Sequence, residues 1–310
     1  MTENAKETWG RRDRDVDAVR LSMLSSALEN ADDGSRAIDM KIRGRKNRVV
    51  RGYEAMFASY VAQGLLSARA GASSIVPIAG YIVPPAAISY VMISAARHDR
   101  LDSDTYKRLN LALLEYGLIG LLVLALGGGI KRPVRVLPLA LTVVNSVKGY
   151  AYGVLGWNKD RLDVTLLGDL TKGAKTTVMG FVSKPKNFKA GGYMAATITV
   201  ASLKLLKLKE IVEVLLSNSP LSGGDFATIV ARFNRLAFLT MMSYTLRDAA
   251  DRDRLGGTTF VQMNYLCALS MAVHCFYYSS GGIATPVGAL SAIFGVFFAF
   301  NGISSSMNKR

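Results

Sequence analysis

Apolar residues in this chain fall into eight long blocks, approximately 53–68, 71–96, 109–127, 134–155, 190–206, 226–246, 258–279 and 282–303. Polar stretches separate them and hold nearly all of the charge. From Leu255 to Asn308 there is no Asp, Glu, Lys or Arg in 54 residues, and from Ala70 to Ala96 there is none in 27. About 20 apolar residues suffice for a helix to cross a bilayer, so the C-terminal run has room for two crossings. The pattern predicts an all-α polytopic membrane protein with about eight membrane helices. The first block is the shortest and most polar.

Basic residues test that count. On the side of the N-terminus lie twelve Lys and Arg before residue 53, four in 97–108, seven in 156–190, three in 247–257, and Lys309 with Arg310. The opposite loops hold Arg69, Lys131, Arg132, Arg135, Lys204, Lys207 and Lys209. Cytoplasmic loops carry the excess of Lys and Arg, so 28 against 7 places both termini on the inner side.

The chain also echoes itself. Ser89-Tyr90, Ala95-Ala96 and Asp99-Arg100-Leu101 recur as Ser243-Tyr244, Ala249-Ala250 and Asp253-Arg254-Leu255, an offset of 154. Gly128-Gly129-Ile130 with Pro133-Val134 recurs as Gly281-Gly282-Ile283 with Pro286-Val287. Lys46-Asn47 and Gly52-Tyr53 recur as Lys186-Asn187 and Gly192-Tyr193, and Trp9 with Asp15-Val16 as Trp157 with Asp163-Val164. The matches keep their order, as in an internal repeat. Four spans per copy is an even number, so the copies enter from the same side as parallel repeats about an axis along the membrane normal. The resulting division is a charged N-terminal region (1–52), membrane repeat one (53–155), a basic inner linker (156–189) and membrane repeat two (190–310).

Within 1–52, Val16, Val19, Met23, Leu24, Ala27 and Leu28 recur at helical spacing and predict an amphipathic helix over about 15–30. The basic run Lys41, Arg43, Arg45, Lys46, Arg48 and Arg51 follows. Next to a first span it reads as a contact for anionic inner-leaflet lipid, with a solvated charged face as the equal alternative. These basic residues lack the interleaved aromatics of an RNA binder, so nucleic acid is not expected as a partner despite the net charge of +15. The region has no apolar core of a cleavable signal.

Chemistry has few candidates. Cys267 and Cys275 share one apolar block and make neither a disulfide framework nor a ligand set. His98 and His274 lack partners at ligand spacing, so no metal or cofactor is expected. No phosphate loop, dinucleotide fingerprint or nucleophile elbow occurs in context, so an enzyme is not expected. What remains are ionisable residues within apolar blocks, which lipid penalises heavily. Arg232 and Arg235 flank Asn234 in the sixth block, with Arg235 about 13 Å in at roughly 1.5 Å per residue. At the 154 offset they match Ile78 and Tyr81, in a stretch with Pro77, Gly80, Pro84 and Pro85 that predicts a kinked or broken second span. Broken helices at repeat interfaces are where transporters bind ligands. Arg232, Asn234, Arg235, Tyr81, Pro84 and Pro85 are therefore the expected solute site. Glu115 and Lys148 stand alone in the third and fourth blocks at similar depth, and both are replaced in the second copy (Leu269, Asn301). They are expected to pair, because an unpaired charge there costs several kcal/mol.

These features point to a carrier or channel for a small anionic or amphipathic solute. A membrane scaffold or membrane-shaping protein, or an accessory subunit of a membrane complex, is the alternative.

Overall fold

A computed structural model describes residues 40, 42–69, 81–126, 133–156, 165–216, 223–275 and 285–307. Residues 1–48 separate from the rest as a unit of their own, so the amphipathic segment expected over 15–30, and Lys41, lie outside the described residues. The larger unit begins at Val49.

Among the described residues there are nine helices and no strand. They are α1 (42–68), α2 (Val83–Arg97), α3 (Asp104–Leu126), α4 (Pro133–Leu155), α5 (Leu166–Val182), α6 (Phe188–Leu216), α7 (Gly223–Asp251), α8 (Thr258–Val273) and α9 (Pro286–Met307). Two helices, α3 and α9, are long and apolar enough to cross a membrane. In a water-soluble bundle such helices would form the core. Here only 33% of the apolar window of α3 and 28% of that of α9 is buried.

Local chemistry sets the helix ends. Pro84 and Pro85 occupy the first turn of α2, where a missing N–H costs nothing and the fixed φ favours helix. These two prolines thus start a helix inside the expected second span, and the rest of the stretch expected to kink or break, residues 70–80, lies outside the described residues. At the other end Asp99 takes φ 54°, and the Arg100 N–H reaches the Ala95 carbonyl at 2.9 Å. Asp253 takes φ 53°, with the Arg254 N–H to the Ala249 carbonyl at 2.8 Å. Both are Schellman closures in which a short Asp side chain tolerates the left-handed backbone, and the leucine two residues on, Leu101 or Leu255, is buried. Among the described residues these two are the only non-glycine residues at positive φ.

α3 packs against α4 and α7, α6 against α7, and α8 against α9, with lesser contacts of α2 to α3 and α8, α7 to α8, and α4 to α5. Polar groups tie the interior. Tyr53 Oη donates to Asn110 Oδ1 at 2.5 Å, joining α1 to α3, and Tyr193 Oη donates to Asn264 Oδ1 at 2.7 Å, joining α6 to α8. Asn145 Nδ2 of α4 reaches the Gly52 carbonyl at 2.9 Å. A Cβ on Gly149 would lie 1.7 Å from Tyr53 Oη, so only glycine permits α4 to approach α1 this closely.

The outward faces are apolar. On α9, Leu290, Ile293, Val296, Phe300, Ile303 and Met307 are exposed, while Ser291, Asn301 and Ser305 are buried with Gly288, Gly302 and Phe298. Leu118, Leu122 and Leu126 of α3 and Leu137, Val144 and Val147 of α4 are exposed as well.

Candidate functional site

α7 carries Arg232, Asn234 and Arg235 deep within a 29-residue helix. Residues three apart share a helix face, so the two arginines project together while Asn234 points to a neighbouring face. Arg235 is 2% exposed, Asn234 is buried and Arg232 is half-buried. Asn234 Nδ2 donates to the Tyr116 carbonyl of α3 at 3.0 Å. Tyr116 in turn donates its hydroxyl to the Tyr81 carbonyl at 2.6 Å and sets its ring 5.4 Å from Phe238. Two of the expected site residues, Tyr81 and Asn234, thus meet on one residue that sequence reasoning did not single out, the first on its hydroxyl and the second on its backbone carbonyl. Its only signal was a tyrosine beside the lone Glu115 of its block. Pro84 and Pro85 are buried in the first turn of α2, just after Tyr81.

The arginines face a second set of groups. Arg235, Lys207 of α6 and Arg232 all lie near enough to act electrostatically on His274, at the end of α8. His274 Nδ1 lies 3.0 Å from Ser291 Oγ of α9. The Ser291 hydroxyl proton goes to the Val287 carbonyl at 2.8 Å, so the imidazole is the donor and carries its hydrogen on Nδ1. Lys207 pairs with Glu210 one turn on. Sequence reasoning gave His274 no ligand role and placed Lys207 in a loop.

That last reading is corrected by α6, which runs on through Lys204, Lys207 and Lys209 to Leu216. Carboxylates accompany each lysine: Lys209 lies 3.5 Å from Glu213 on the same helix, and Lys204 lies 3.0 Å from Glu115 of α3. Lys204 also sits over the Phe233 ring at 5.1 Å. The expected Glu115–Lys148 pair is therefore replaced by Glu115–Lys204. Glu115 lies on the same stretch of α3 that meets α7, next to α6, whereas Lys148 is exposed on α4. Matching depth on two antiparallel helices did not ensure a shared face.

A charge cycle measures the difference. Glu115→Gln and Lys204→Met should each lower the melting temperature in detergent, and the double change should cost less than their sum. The pair is about a third exposed, so a coupling of only about 1 kcal/mol is expected. Coupling of Glu115 to Lys148 instead would refute the assignment.

Of the basic run, Arg43, Arg48 and Arg51 are exposed and Arg45 and Lys46 half-buried. At the end of the helix set where α2 and α7 terminate, Arg108 of α3 meets Asp248 of α7 at 3.0 Å and lies over the Tyr244 ring at 5.1 Å. Arg247 lies 3.1 Å from Asp251 and donates to the Gly180 and Ser183 carbonyls at 2.5 and 3.1 Å.

No protein family, curated protein or solved structure matches the chain.

Proposed function

We propose that this chain is an integral membrane protein built from two tandem parallel four-helix repeats, α1–α4 and α6–α9, that carries or conducts a small anionic or amphipathic solute. Support for the membrane comes from the apolar outward faces of α3, α4 and α9 enclosing buried asparagines, serines and arginines, an arrangement that hydrocarbon favours and water does not. Support for the repeat comes from paired details. The Tyr53–Asn110 and Tyr193–Asn264 bonds correspond at offsets of 140 and 154, and the Asp99 and Asp253 closures at 154. Four helices per copy orient both copies alike and put both termini on the inner, basic side.

The observation that carries the solute reading is the pair of arginines on one face of α7, Arg235 almost completely buried and Arg232 half-buried, beside the Tyr81–Tyr116–Asn234 contact between the halves. Guanidinium groups desolvated inside an apolar-clad bundle are strong anion donors through charge-assisted, two-pronged hydrogen bonds. Counterflow of labelled organic and inorganic anions in proteoliposomes tests the proposal. Saturable exchange supports it. If no anion moves and the chain leaves mild detergent only with other chains attached, the accessory-subunit reading replaces it.

A further inference from the structure

The segment joining the two halves holds a helix, α5, that the sequence reading passed over as a basic linker. Both ends of α5 are fastened to one end of the helix set. Near its start Asp169 accepts from Lys107 Nζ of α3 and Tyr150 Oη of α4, both at 2.8 Å. Burial would raise the Asp169 carboxyl, but the bonds from Lys107 and Tyr150 outweigh it and leave its pKa lowered, so the carboxylate stays charged to lower pH than a free aspartate does. Near its finish the Gly180 carbonyl accepts from Arg247 of α7, and a Cβ there would come 2.0 Å from Tyr244 Oη. Lys107, Tyr150 and Arg247 all lie within five residues of the ends of their helices on that side. Asp169 and Gly180 are eleven residues, about 16 Å, apart along α5. The helix therefore runs across the end of α3, α4 and α7 rather than alongside them.

Its other edge faces outward. Leu167, Val178 and Met179 are 71%, 63% and 64% exposed, and Leu170 is exposed too. Lys172 and Lys175 lie on the same helix, and exposed Lys184, Lys186 and Lys189 follow. Asp169, the one acidic residue from 165 to 190, is already held by Lys107. An apolar edge beside exposed lysines, held crosswise at the basic end of the bundle, is the chemistry of a helix lying in a bilayer interface. We propose that α5 is such an interfacial helix: Leu167, Leu170 and Val178 enter the acyl boundary of the inner leaflet, and Lys172 and Lys175 engage phosphates of anionic headgroups. The proposal rests on the membrane reading above.

Single cysteines at Val178 and at Leu167, in a full-length Cys267→Ala/Cys275→Ala background, test it once labelled with an environment-sensitive fluorophore. The protein is placed in nanodiscs of phosphatidylcholine, alone or with one part phosphatidylglycerol in four. A cysteine at Ile293, on the exposed stripe of α9, reports the span itself. Lipid bearing a nitroxide high on its chain is expected to cut emission from both α5 labels at least about twofold, while aqueous iodide leaves it nearly unchanged. Phosphatidylglycerol should deepen the lipid quenching, and Lys172→Glu with Lys175→Glu should remove that gain. Iodide quenching of α5 labels beside lipid quenching at Ile293 overturns the proposal and spares the membrane reading. Protection from both quenchers means a protein covers α5 and also overturns it. Iodide quenching at Ile293 removes both. Lipid quenching indifferent to phosphatidylglycerol and to the lysine changes overturns the headgroup assignment.

Discussion

Arg235→Ala is expected to weaken anion binding and exchange sharply while leaving the protein folded in detergent. A charge-assisted hydrogen bond to an anion is worth about 1.5–3 kcal/mol, so losing one such contact weakens affinity about 10- to 100-fold. The two-pronged geometry available to arginine sets the upper end. Arg235→Lys keeps the charge and loses the planar fork, so it should retain a measurable part of the affinity. Arg232→Ala should do less, because this side chain is half-buried and Arg235 is almost completely buried. The measurement is saturable anion exchange in proteoliposomes, paired with a thermal melt of each variant. Wild-type exchange by the alanine variant at Arg235, with an unchanged melt, would remove the site from these arginines.

Arg247→Ala is expected to be the most destabilising single change at the basic end. The side chain is 4% exposed, ion-paired to Asp251 and hydrogen-bonded to the Gly180 carbonyl and to both oxygens of Ser183. Its removal takes the cationic partner from the part-buried carboxylate of Asp251, which keeps only its bond from the Lys186 N–H, and leaves the end of α5 without its donors. Breaking a buried pair by deleting one partner costs about 3–5 kcal/mol. For a chain of this size that corresponds to a fall of roughly 10 °C in melting temperature. Arg247→Lys should recover the contact with Asp251 but not the simultaneous bonds to α5. Arg97→Ala is the comparison: its pair with Glu54 is exposed on both sides and should contribute less than about 1 kcal/mol. Equal melts for Arg247→Ala and Arg97→Ala would mean that α5 is not held through Arg247.

Features governed by near neighbours along the chain were legible in its residues. Helical blocks follow from apolar composition, and the Asp-Arg-Leu strings after α2 and α7 become the same left-handed closure because a Schellman turn is made within six residues. The repeated Gly-Tyr within α1 and α6 marked the two tyrosines that bond Asn110 and Asn264, although those asparagines were not foreseen. Pro84 and Pro85 show the limit even at short range: the same dipeptide starts a helix or kinks one, depending on where the preceding turn ends. Partners chosen across helices were not legible. Glu115 and Lys148 match in depth, but rotation of α3 about its axis, set by its packing on α7, turns the carboxylate to Lys204. α5 was hidden because its apolar positions are few and interleaved with lysines and glycines. Thr165, whose hydroxyl caps the Gly168 N–H at 3.0 Å, was the one local sign of its start. Side-chain depth follows from counting residues along a helix, whereas the direction a side chain faces is decided only when the helices pack.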